Sequence, residues 1–286
     1  MAESLGPTNV YTPSSLSELL SLYDKLPQAL LFNGGTHILR EQHGIYDGLP
    51  ANVINIARVE DLNRINRTER HIDIGSAVSV NRILDIGANV LPRSLHDALV
   101  AMLPPGVRNL ATLGGNICIR DRRRTIYPVY LLLEIQLELR RLGATRWTPL
   151  SRFAGPGARL DLQGGEVLTR IRIPFSTWDR EVYRRIDQEL ESPSDFLSFC
   201  GLARMEKNVI NDVRFAFGTA GPIVVRSREL ENELIGRHLP LGRREMAPVA
   251  EILEATLSGL RDGLSEFQKD RIRSILGWFL DQLVDE

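Results

Sequence analysis

Residues 108–125 read RNLATLGGNICIRDRRRT and combine two features that seldom occur together. The small-residue turn Thr112-Leu113-Gly114-Gly115-Asn116 is typical of a loop that lets a ligand lie against the backbone. A basic run, Arg120-Asp121-Arg122-Arg123-Arg124, begins four residues later. The stretch therefore raises the question whether turn and run serve one anionic ligand or whether the run is a separate feature.

A second glycine loop stands earlier in the chain, as Asn33-Gly34-Gly35-Thr36-His37-Ile38. It follows ALLF, residues 29–32, which the apolar run predicts to be a short buried strand. Glycine pairs permit positive φ angles and remove the Cβ atoms that would hold a phosphate away, and successive N–H groups in such turns form a concave anion site. Thr36, Thr112 and Asn116 could add side-chain hydrogen bonds. Two such loops, if they converge, would suit a pyrophosphate better than a single phosphate.

Composition is that of an ordinary globular protein, since 43% of the 286 residues are hydrophobic and 25% are charged. The net charge is −1 and the pI about 6.6, so no global field attracts nucleic acid or anionic lipid and the arginine run is a local feature. Cys118 and Cys200 cannot supply the four thiolates of an iron–sulfur cluster or structural zinc site. We see no signal-peptide pattern and no apolar run of the ~18 residues that span a bilayer, so we expect a cytoplasmic protein.

Periodicity predicts an α/β beginning and a different second half. Ser15 and Glu18 have capping-box spacing before an amphipathic helix, and strands are predicted in NVINI and HIDIG. From about Ser94 a helix is predicted in LHDALVAML, followed by strands over residues 133–139 and in VLTRIRIP, where apolar and polar residues alternate. DFLSFCGLARM and DVRFAFGTAGP are predicted strands of a second module, and SEFQKDRIRSILGWFLDQLVD is a predicted helix with one apolar face. We place a boundary near residues 175–180.

Several catalytic mechanisms are excluded by spacing. The five histidines show no H-E-x-x-H arrangement, and the chain contains neither a G-x-S-x-G elbow nor a Walker loop nor a G-x-G-x-x-G turn. We therefore predict no catalytic residue and no metal ligand in this chain. The absence of acid–base and nucleophilic machinery indicates a binding protein or a cofactor carrier.

Taken together, the motifs and their order show a family resemblance. The order is strand–NGGT, VINIARVEDLNRI, HIDIGSAVSVNRIL, VRNLATLGGNI and GEVLTRIRIP. It resembles the flavin-binding, or medium, subunit of the molybdenum hydroxylases of the xanthine dehydrogenase and carbon monoxide dehydrogenase type. In that family A-G-G-T-[DN]-L and R-N-x-A-T-[IVL]-G-G-N hold the FAD pyrophosphate. The downstream DVRFAFGTAGPIVVRSRELENELIGR resembles the family's C-terminal module, so the resemblance runs from about residue 8 to 240.

The resemblance implies an α+β fold. The expected architecture is a two-lobed FAD-binding fold of the vanillyl-alcohol-oxidase (PCMH) type, followed by a C-terminal module of antiparallel strands and helices. We expect residues 1–176 to form the FAD-binding domain, with a small βαβ lobe over about 1–60 and a larger α+β lobe over about 61–176. Residues 177–286 would form a C-terminal domain like that of carbon monoxide dehydrogenase flavoproteins.

The resemblance also implies a function. Such subunits bind FAD and pass electrons from an iron–sulfur subunit to an external acceptor, within an oxidoreductase whose large subunit binds molybdopterin. We therefore expect a molybdopterin-binding large subunit and an iron–sulfur small subunit as partners, with no nucleic acid and no membrane span. The cofactor performs the redox chemistry and the protein sets its position and potential. Substrate hydroxylation would not be done by this chain alone.

The resemblance assigns candidate cofactor contacts by position. Pyrophosphate contacts are expected from both loops, Ile119 would continue along the adenosine side, Leu168 would lie near the flavin or adenine, and Arg185 occupies the place of a frequent family lysine. The candidate residues are Asn33, Gly34, Gly35, Thr36, His37, Ile38, Ala111, Thr112, Gly114, Gly115, Asn116, Ile119, Thr125, Leu168 and Arg185.

Three positions depart from the family pattern. Thr125 stands where the family usually has an acid that hydrogen-bonds ribosyl or ribityl hydroxyls, and a threonine lacks the charge-assisted strength of a carboxylate. Arg120–Arg124 replaces a proline-containing stretch, and the arginines would either grip phosphate or fill the path of the dinucleotide. Asn33 replaces the usual alanine.

Two alternatives to a flavin-carrying subunit stay open from the sequence. One is a degenerate member that lacks flavin and acts as a structural subunit, for which Thr125 and the arginine run argue. The other is a self-contained flavoenzyme of the same superfamily, such as the enolpyruvyl sugar-nucleotide reductases, which would need a catalytic acid and a proton donor. The sequence supplies no candidate for either group.

Overall fold

The hydrophobic periodicities of the chain produce twelve strands and eleven helices over the residues that the computed structural model describes. These residues are 7–40, 48–119, 125–154, 160–186, 196–219, 224–260 and 264–284. The chain divides into two units that are each built from several segments. The first unit comprises residues 1–87, 103–120 and 134–175, and the second comprises residues 88–102, 121–133 and 176–286.

The elements follow in chain order. The strands are β1 (Asn9–Tyr11), β2 (Leu30–Phe32), β3 (Asn52–Asn55), β4 (Ile65–Arg67), β5 (His71–Gly75), β6 (Gln136–Arg141), β7 (Ala144–Pro149), β8 (Val167–Pro174), β9 (Arg180–Ile186), β10 (Leu197–Glu206), β11 (Val209–Thr219) and β12 (Val224–Val225). The helices are α1 (Leu16–Lys25), α2 (Thr36–Arg40), α3 (Val80–Leu84), α4 (Arg93–Met102), α5 (Pro105–Arg108), α6 (Leu113–Ile117), α7 (Tyr127–Leu132), α8 (Leu150–Phe153), α9 (Arg228–Leu234), α10 (Arg243–Ser258) and α11 (Glu266–Asp281). A 3₁₀ turn spans Glu60–Asn63.

A small parallel sheet opens the first unit. Its strand order is β1-β3-β2, with β3 in the centre and parallel to both neighbours. Parallel strands need a crossover connection, and helix α2 lies in the connection between β2 and β3. Helix α1 begins as predicted, because the Ser15 hydroxyl accepts a hydrogen bond from the Glu18 N–H at 3.2 Å. The strand predicted before the first glycine loop is confirmed as β2, but its three residues are half-buried and not buried as the apolar run predicts; helix α2 follows the loop. The core of this region is made by Leu19, Ala29, Ile54, Ile56, Val59, Leu62, Ala77 and Val167.

A five-stranded antiparallel sheet of order β4-β5-β8-β6-β7 completes the first unit. Alternation in β8 buries Ile171 and Ile173 on one face and leaves Arg170 and Arg172 half-buried on the other, as a period of two requires. On that second face the Arg172 guanidinium forms two hydrogen bonds, of 2.7 and 2.8 Å, with the Asp73 carboxylate on the paired strand β5. The strand predicted in VLTRIRIP is confirmed.

Strand β6 starts later than the alternation predicts. Residues 133–139 alternate strictly, but the strand begins at Gln136 because Leu133 is still the C-terminal cap of α7. Glu134 then adopts a left-handed φ of 54°, which turns the chain from the helix into the sheet. Apolar residues that continue a strand pattern backwards can equally continue the buried face of a preceding helix.

The second unit is built on a four-stranded antiparallel sheet of order β12-β11-β10-β9. The strands predicted in DFLSFCGLARM and DVRFAFGTAGP are confirmed as β10 and β11, and the predicted C-terminal helix is confirmed as α11. Phe199 packs against Phe217 and Phe279 with ring centroids 4.9 and 5.3 Å away. A Cβ atom on Gly201 would lie 2.7 Å from the Phe279 ring, so the glycine in β10 allows α11 to approach the sheet.

The units do not follow the linear order of the chain. Segments 88–102 and 121–133 belong to the second unit although they precede the boundary expected near residue 176. The division into an FAD-binding domain over 1–176 and a C-terminal domain over 177–286 stays a prediction. None of the helices within the described ranges has both the length and the apolar character that crossing a membrane requires.

Candidate functional site

The first glycine loop is a tight turn between β2 and α2. Gly35 has a φ of +67°, which only glycine adopts without strain, and a Cβ atom there would also lie 2.6 Å from the Phe32 ring. The Leu39 N–H donates to the Gly35 carbonyl at 2.9 Å, so the helix starts directly after the turn. The N–H groups of Gly34, Gly35 and Thr36 donate no hydrogen bond within the part of the chain that the structure describes. This loop therefore presents backbone donors that a ligand could use.

The second glycine loop is held by its own threonine. The buried Thr112 hydroxyl accepts a hydrogen bond from the Gly115 N–H at 3.0 Å and caps α6, while the Thr112 carbonyl accepts from the Asn116 N–H at 3.0 Å. Gly114 is buried, whereas Gly115 is exposed and Asn116 half-buried. Among the described residues, a Cβ atom on Gly115 would touch only the Thr112 hydroxyl, at 3.0 Å. Gly115 is thus the glycine of this loop that faces outward.

The first loop contacts the chain just before the second loop within the first unit. A Cβ atom placed on Gly34 would lie 1.9 Å from the carbonyl oxygen of Leu110, the residue before the second loop. Gly34 is therefore required by the contact between the loops, whereas Gly35 is required by the turn. The structure brings together the two stretches that the sequence singles out, residues 33–38 and 111–117.

A third segment, residues 76–81, lies against the second loop and was not singled out by sequence reasoning as part of a site. A Cβ atom on Gly114 would lie 2.5 Å from the Ser76 carbonyl oxygen, so the loop rests on this segment. The Val80 N–H donates to the Ala111 carbonyl at 2.8 Å, and Ser79 forms an antiparallel bridge with Thr112. The only sequence signal is the run of small residues in SAVS, which is too common to identify a site.

The first loop reaches the same segment through a side chain. The Asn33 amide donates from Nδ2 to the Ala77 carbonyl at 3.1 Å. Asn81 in turn donates from Nδ2 to Oδ1 of Asn109, just before the second loop. Segment 76–81 therefore contacts both glycine loops.

The remaining candidate residues of the first unit lie beside one or the other of the two loops. Leu168 is buried in β8, and the carbonyl of its neighbour Thr169 accepts from the Ser76 N–H at 3.0 Å. Ile119 is half-buried, and its N–H donates to the Asn116 carbonyl at 3.3 Å. His37 and Ile38 are half-buried in the first turn of α2.

Thr125 and Arg185 belong to the second unit. The Thr125 carbonyl accepts a hydrogen bond from the Tyr183 hydroxyl at 3.1 Å. Arg185 donates from Nη1 to the carbonyls of Ala101 at 2.8 Å and Met102 at 3.3 Å, where a cation is favourable beside the C-terminal end of α4. Both residues thus join β9 to other segments of their own unit. The run Arg120–Arg124 lies outside the described residues.

A cluster of charged side chains in the first unit shifts the pKa values of two of its members, Arg146 and Glu166. Arg146 on β7 makes two hydrogen bonds to Glu166, of 2.7 and 2.8 Å, and one of 3.0 Å to Asp161. These hydrogen bonds hold the pKa of Glu166 below its ordinary value, and the same partners raise the pKa of Arg146. The cluster fixes the segment before β8 to the sheet, which is a structural role.

Solved structures define the class of fold. The chain matches quinoline 2-oxidoreductase from Pseudomonas putida 86 with a TM-score of 0.82 at 18% identity, covering 98% of both chains. It matches carbon monoxide dehydrogenase from Hydrogenophaga pseudoflava with a TM-score of 0.79 at 19% identity, covering 98% of this chain and 96% of the other. The expected two-lobed FAD-binding fold with a C-terminal module is confirmed.

Residues 6–176 match the family described as FAD binding domain in molybdopterin dehydrogenase. The chain belongs to this family, and FAD is its cofactor. The family resemblance indicated by the motifs is confirmed. The two alternatives, a structural subunit without flavin and a self-contained flavoenzyme, are not favoured.

Relatives of known sequence agree with this assignment. The putative xanthine dehydrogenase FAD-binding subunit XdhB of Escherichia coli (strain K12) is 26% identical over 245 residues, covering 83% of this chain and 82% of the relative. Aldehyde oxidase 2 of Cavia porcellus is 29% identical over 293 residues, covering 96% of this chain. The chain spans only 22% of the length of that oxidase, so it corresponds to one part of the longer protein.

The site geometry fits the cofactor. Gly34, Gly35 and Thr36 offer backbone N–H donors, and the exposed Gly115 has no described neighbour but the Thr112 hydroxyl within 4 Å of the place where a Cβ would project. A dinucleotide pyrophosphate needs several donors and a close approach to the backbone; the first loop offers donors, and Gly115 permits the approach. The loops therefore form a suitable cradle for the diphosphate of FAD.

Proposed function

We propose that the chain carries FAD as the electron-transfer component of a molybdenum hydroxylase, passing electrons from an iron–sulfur subunit to an external acceptor. The observation that carries this proposal is the contact of Gly34 with Leu110, which brings the amide donors of the first loop to the chain just before the second loop and its exposed Gly115. Family membership supports the cofactor, and the absence of acid–base motifs agrees with a role limited to electron transfer. FAD, when bound, supplies the redox chemistry.

In this proposal the chain's own residues bind and orient the cofactor. The N–H groups of the first loop and the outward side of Gly115 would hold the pyrophosphate. Thr112 would act indirectly: its hydroxyl accepts a hydrogen bond from the Gly115 N–H and so holds the backbone conformation of the second loop. Leu168 is proposed to lie near the flavin or adenine and Ile119 along the adenosine side. The full set of proposed contacts is Asn33, Gly34, Gly35, Thr36, His37, Ile38, Ala111, Thr112, Gly114, Gly115, Asn116, Ile119, Thr125, Leu168 and Arg185.

The partners follow from the same assignment. We propose a molybdopterin-binding large subunit and an iron–sulfur small subunit, because Cys118 and Cys200 cannot themselves ligate a cluster of four thiolates. The relative from Escherichia coli is named a subunit, which supports a multi-subunit assembly. A cytoplasmic location is proposed with it, since neither cysteine forms a disulfide.

The experiment is a visible absorption spectrum of the purified full chain before and after incubation with FAD and desalting. We expect oxidised-flavin bands that remain after desalting. The variant Gly115→Leu should lose them, because its side chain would occupy the outward face of the second loop. Gly106→Leu is the matched control, since a Cβ atom at Gly106 meets nothing within 4 Å.

A folded chain that retains no flavin after reconstitution would contradict the proposal for the isolated subunit and favour the structural-subunit alternative. Retention of flavin by Gly115→Leu as strong as that of the unmodified chain would show that the cofactor lies elsewhere. Circular dichroism of each variant establishes that it is folded.

A further inference from the structure

The side chain of Asn33 forms a hydrogen bond within the protein. Its amide is half-buried and donates from Nδ2 to the Ala77 carbonyl at 3.1 Å, across 44 positions of the sequence. An alanine at this position could form no such hydrogen bond. The asparagine therefore adds a connection between the first glycine loop and the segment that contains Ala77.

That segment also holds the second glycine loop. Ser76 lies under Gly114, and the Val80 N–H donates to the Ala111 carbonyl at 2.8 Å. Because Ala77 stands between these two contacts, a hydrogen bond to its carbonyl fixes the first loop relative to the second. Both loops and the connecting segment lie in the same unit.

We propose that Asn33 is a positioning residue for the flavin dinucleotide, acting through its side chain by holding the two glycine loops at the separation that the pyrophosphate requires. The inference rests on the proposed function. It leaves the backbone of Asn33 in the proposed pyrophosphate loop and assigns its amide group a separate task. A site whose parts are held in place before binding loses less freedom when the ligand arrives.

Removal of the amide should loosen the loops without unfolding the unit. In Asn33→Ala the backbone contact between Gly34 and Leu110 remains, so the loops stay adjacent. The net contribution of one such hydrogen bond corresponds to about a three- to tenfold change in an equilibrium constant. We expect the Kd for FAD to rise by this factor, chiefly through faster dissociation.

Asn63 offers a matched control. Its amide donates to the carbonyls of Ala57 and Val59, each at 3.0 Å, and it is half-buried in the same unit. Asn63→Ala therefore removes the same kind of side-chain-to-backbone hydrogen bond from a 3₁₀ turn that forms no hydrogen bond with either glycine loop among the described residues, and whose Leu62 carbonyl accepts from the Ala77 N–H at 2.9 Å. It should lower the thermal midpoint of the apoprotein and leave the Kd for FAD unchanged.

The experiment titrates FAD into the apoprotein of the full chain and of the variants Asn33→Ala, Asn33→Asp and Asn63→Ala. It records the Kd, the thermal midpoint without FAD and the ³¹P NMR spectrum of bound FAD. We expect both Asn33 variants to weaken binding and to shift the pyrophosphate resonances. Asn33→Asp should be the weaker binder, because a carboxylate would face the Ala77 carbonyl and stand near the phosphates. Asn63→Ala should give the pyrophosphate resonances of the unmodified chain.

The outcomes separate this inference from the proposed function. If the unmodified chain binds no FAD, the proposed function itself fails. If it binds FAD and Asn33→Ala binds equally well with unchanged ³¹P resonances, the positioning role is overturned. A loss of folding in Asn33→Ala, with Asn63→Ala folded, would also overturn it, because the amide would then serve the fold and not the site.

Discussion

Gly34→Ala is the substitution that tests most directly how the site is built. A Cβ atom on this residue would lie 1.9 Å from the Leu110 oxygen, 2.6 Å from its carbonyl carbon and 3.1 Å from its Cα. All three are backbone atoms, so no side-chain rotation relieves the overlap. Since Cβ atoms essentially never come within 3.0 Å of another heavy atom, the loops would have to separate by at least about 1.1 Å.

The expected cost follows from this overlap. Forcing an extra group into a packed contact costs about 3 kcal/mol at the upper end of the usual range, and the lower entropy of the unfolded alanine chain offsets about 0.7 kcal/mol. The net loss of about 2 kcal/mol corresponds to a fall of roughly 4–8 °C in the thermal midpoint. Binding sites tolerate misplacement of only about 0.5 Å, so the affinity for FAD should fall by about tenfold or more.

The assay compares three glycine-to-alanine variants of the first unit by thermal unfolding of the apoprotein and by FAD titration. Gly34→Ala should lower both the midpoint and the affinity. Gly115→Ala should leave the midpoint within about 1 °C, because its Cβ meets only the Thr112 hydroxyl and alanine favours the helix, but should lower the affinity. Gly106→Ala lies in helix α5 with no described atom within 4 Å of its Cβ, so it should raise the midpoint slightly, because alanine favours the helix and restricts the unfolded chain, and should leave the affinity unchanged.

The reasoning would be refuted if Gly34→Ala unfolded at the temperature of the unmodified chain. Such a result would mean that the two loops do not touch. Equal losses of stability in Gly34→Ala and Gly106→Ala would also contradict it, because the effect would then come from the glycine-to-alanine change itself and not from the contact with Leu110.

Two further predictions concern the surroundings of the site. The Ser76 hydroxyl is buried and makes no hydrogen bond among the residues that the structure describes. Ser76→Ala should therefore raise the free energy of unfolding, measured by urea titration, by about 1 kcal/mol. Ser79→Ala removes the cap of α3 and should lower the free energy of unfolding by a similar amount. Arg146 holds the pKa of Glu166 below the ordinary value of 4.5, so this carboxylate stabilises the fold above that pH and loses its contribution as the pH falls through the lowered pKa. Urea midpoints from about pH 6 to about pH 3 should therefore fall more steeply for the unmodified chain than for Glu166→Gln, and parallel profiles would show that Glu166 is not the responsible group.

Much of the local structure is predictable because it depends on neighbouring residues. Ser15 caps α1 three positions before Glu18, and the alternation of Ile171 and Ile173 with arginines predicts β8. The start of β6 was predicted too early, because the apolar residues from Tyr127 to Leu133 belong to helix α7 and its C-terminal cap, and the strand begins only at Gln136. Periodicity identifies elements well when the pattern stays constant and places their ends poorly when one buried pattern runs into another.

The motifs of the two glycine loops also sufficed to indicate the family and the cofactor, since their order along the chain is a property of the sequence alone. Their spacing cannot show which glycine serves which purpose. Gly34 and Gly35 are neighbours, yet one is required by a positive φ and the other by the Leu110 carbonyl of a distant segment.

The sequence alone predicts the strands whose apolar pattern stays constant, the capped helix α1 and the two glycine turns, because these depend on backbone preferences and on side chains within a few positions. Tertiary structure decided that the turns meet, that segment 76–81 lies against the second of them, and that Asn33 reaches Ala77. Such contacts depend on how distant segments pack, and packing is set by the sum of many weak interactions over the whole unit. A local sequence pattern cannot predict these long-range contacts, so the residues that hold the site together are identified only from the folded structure.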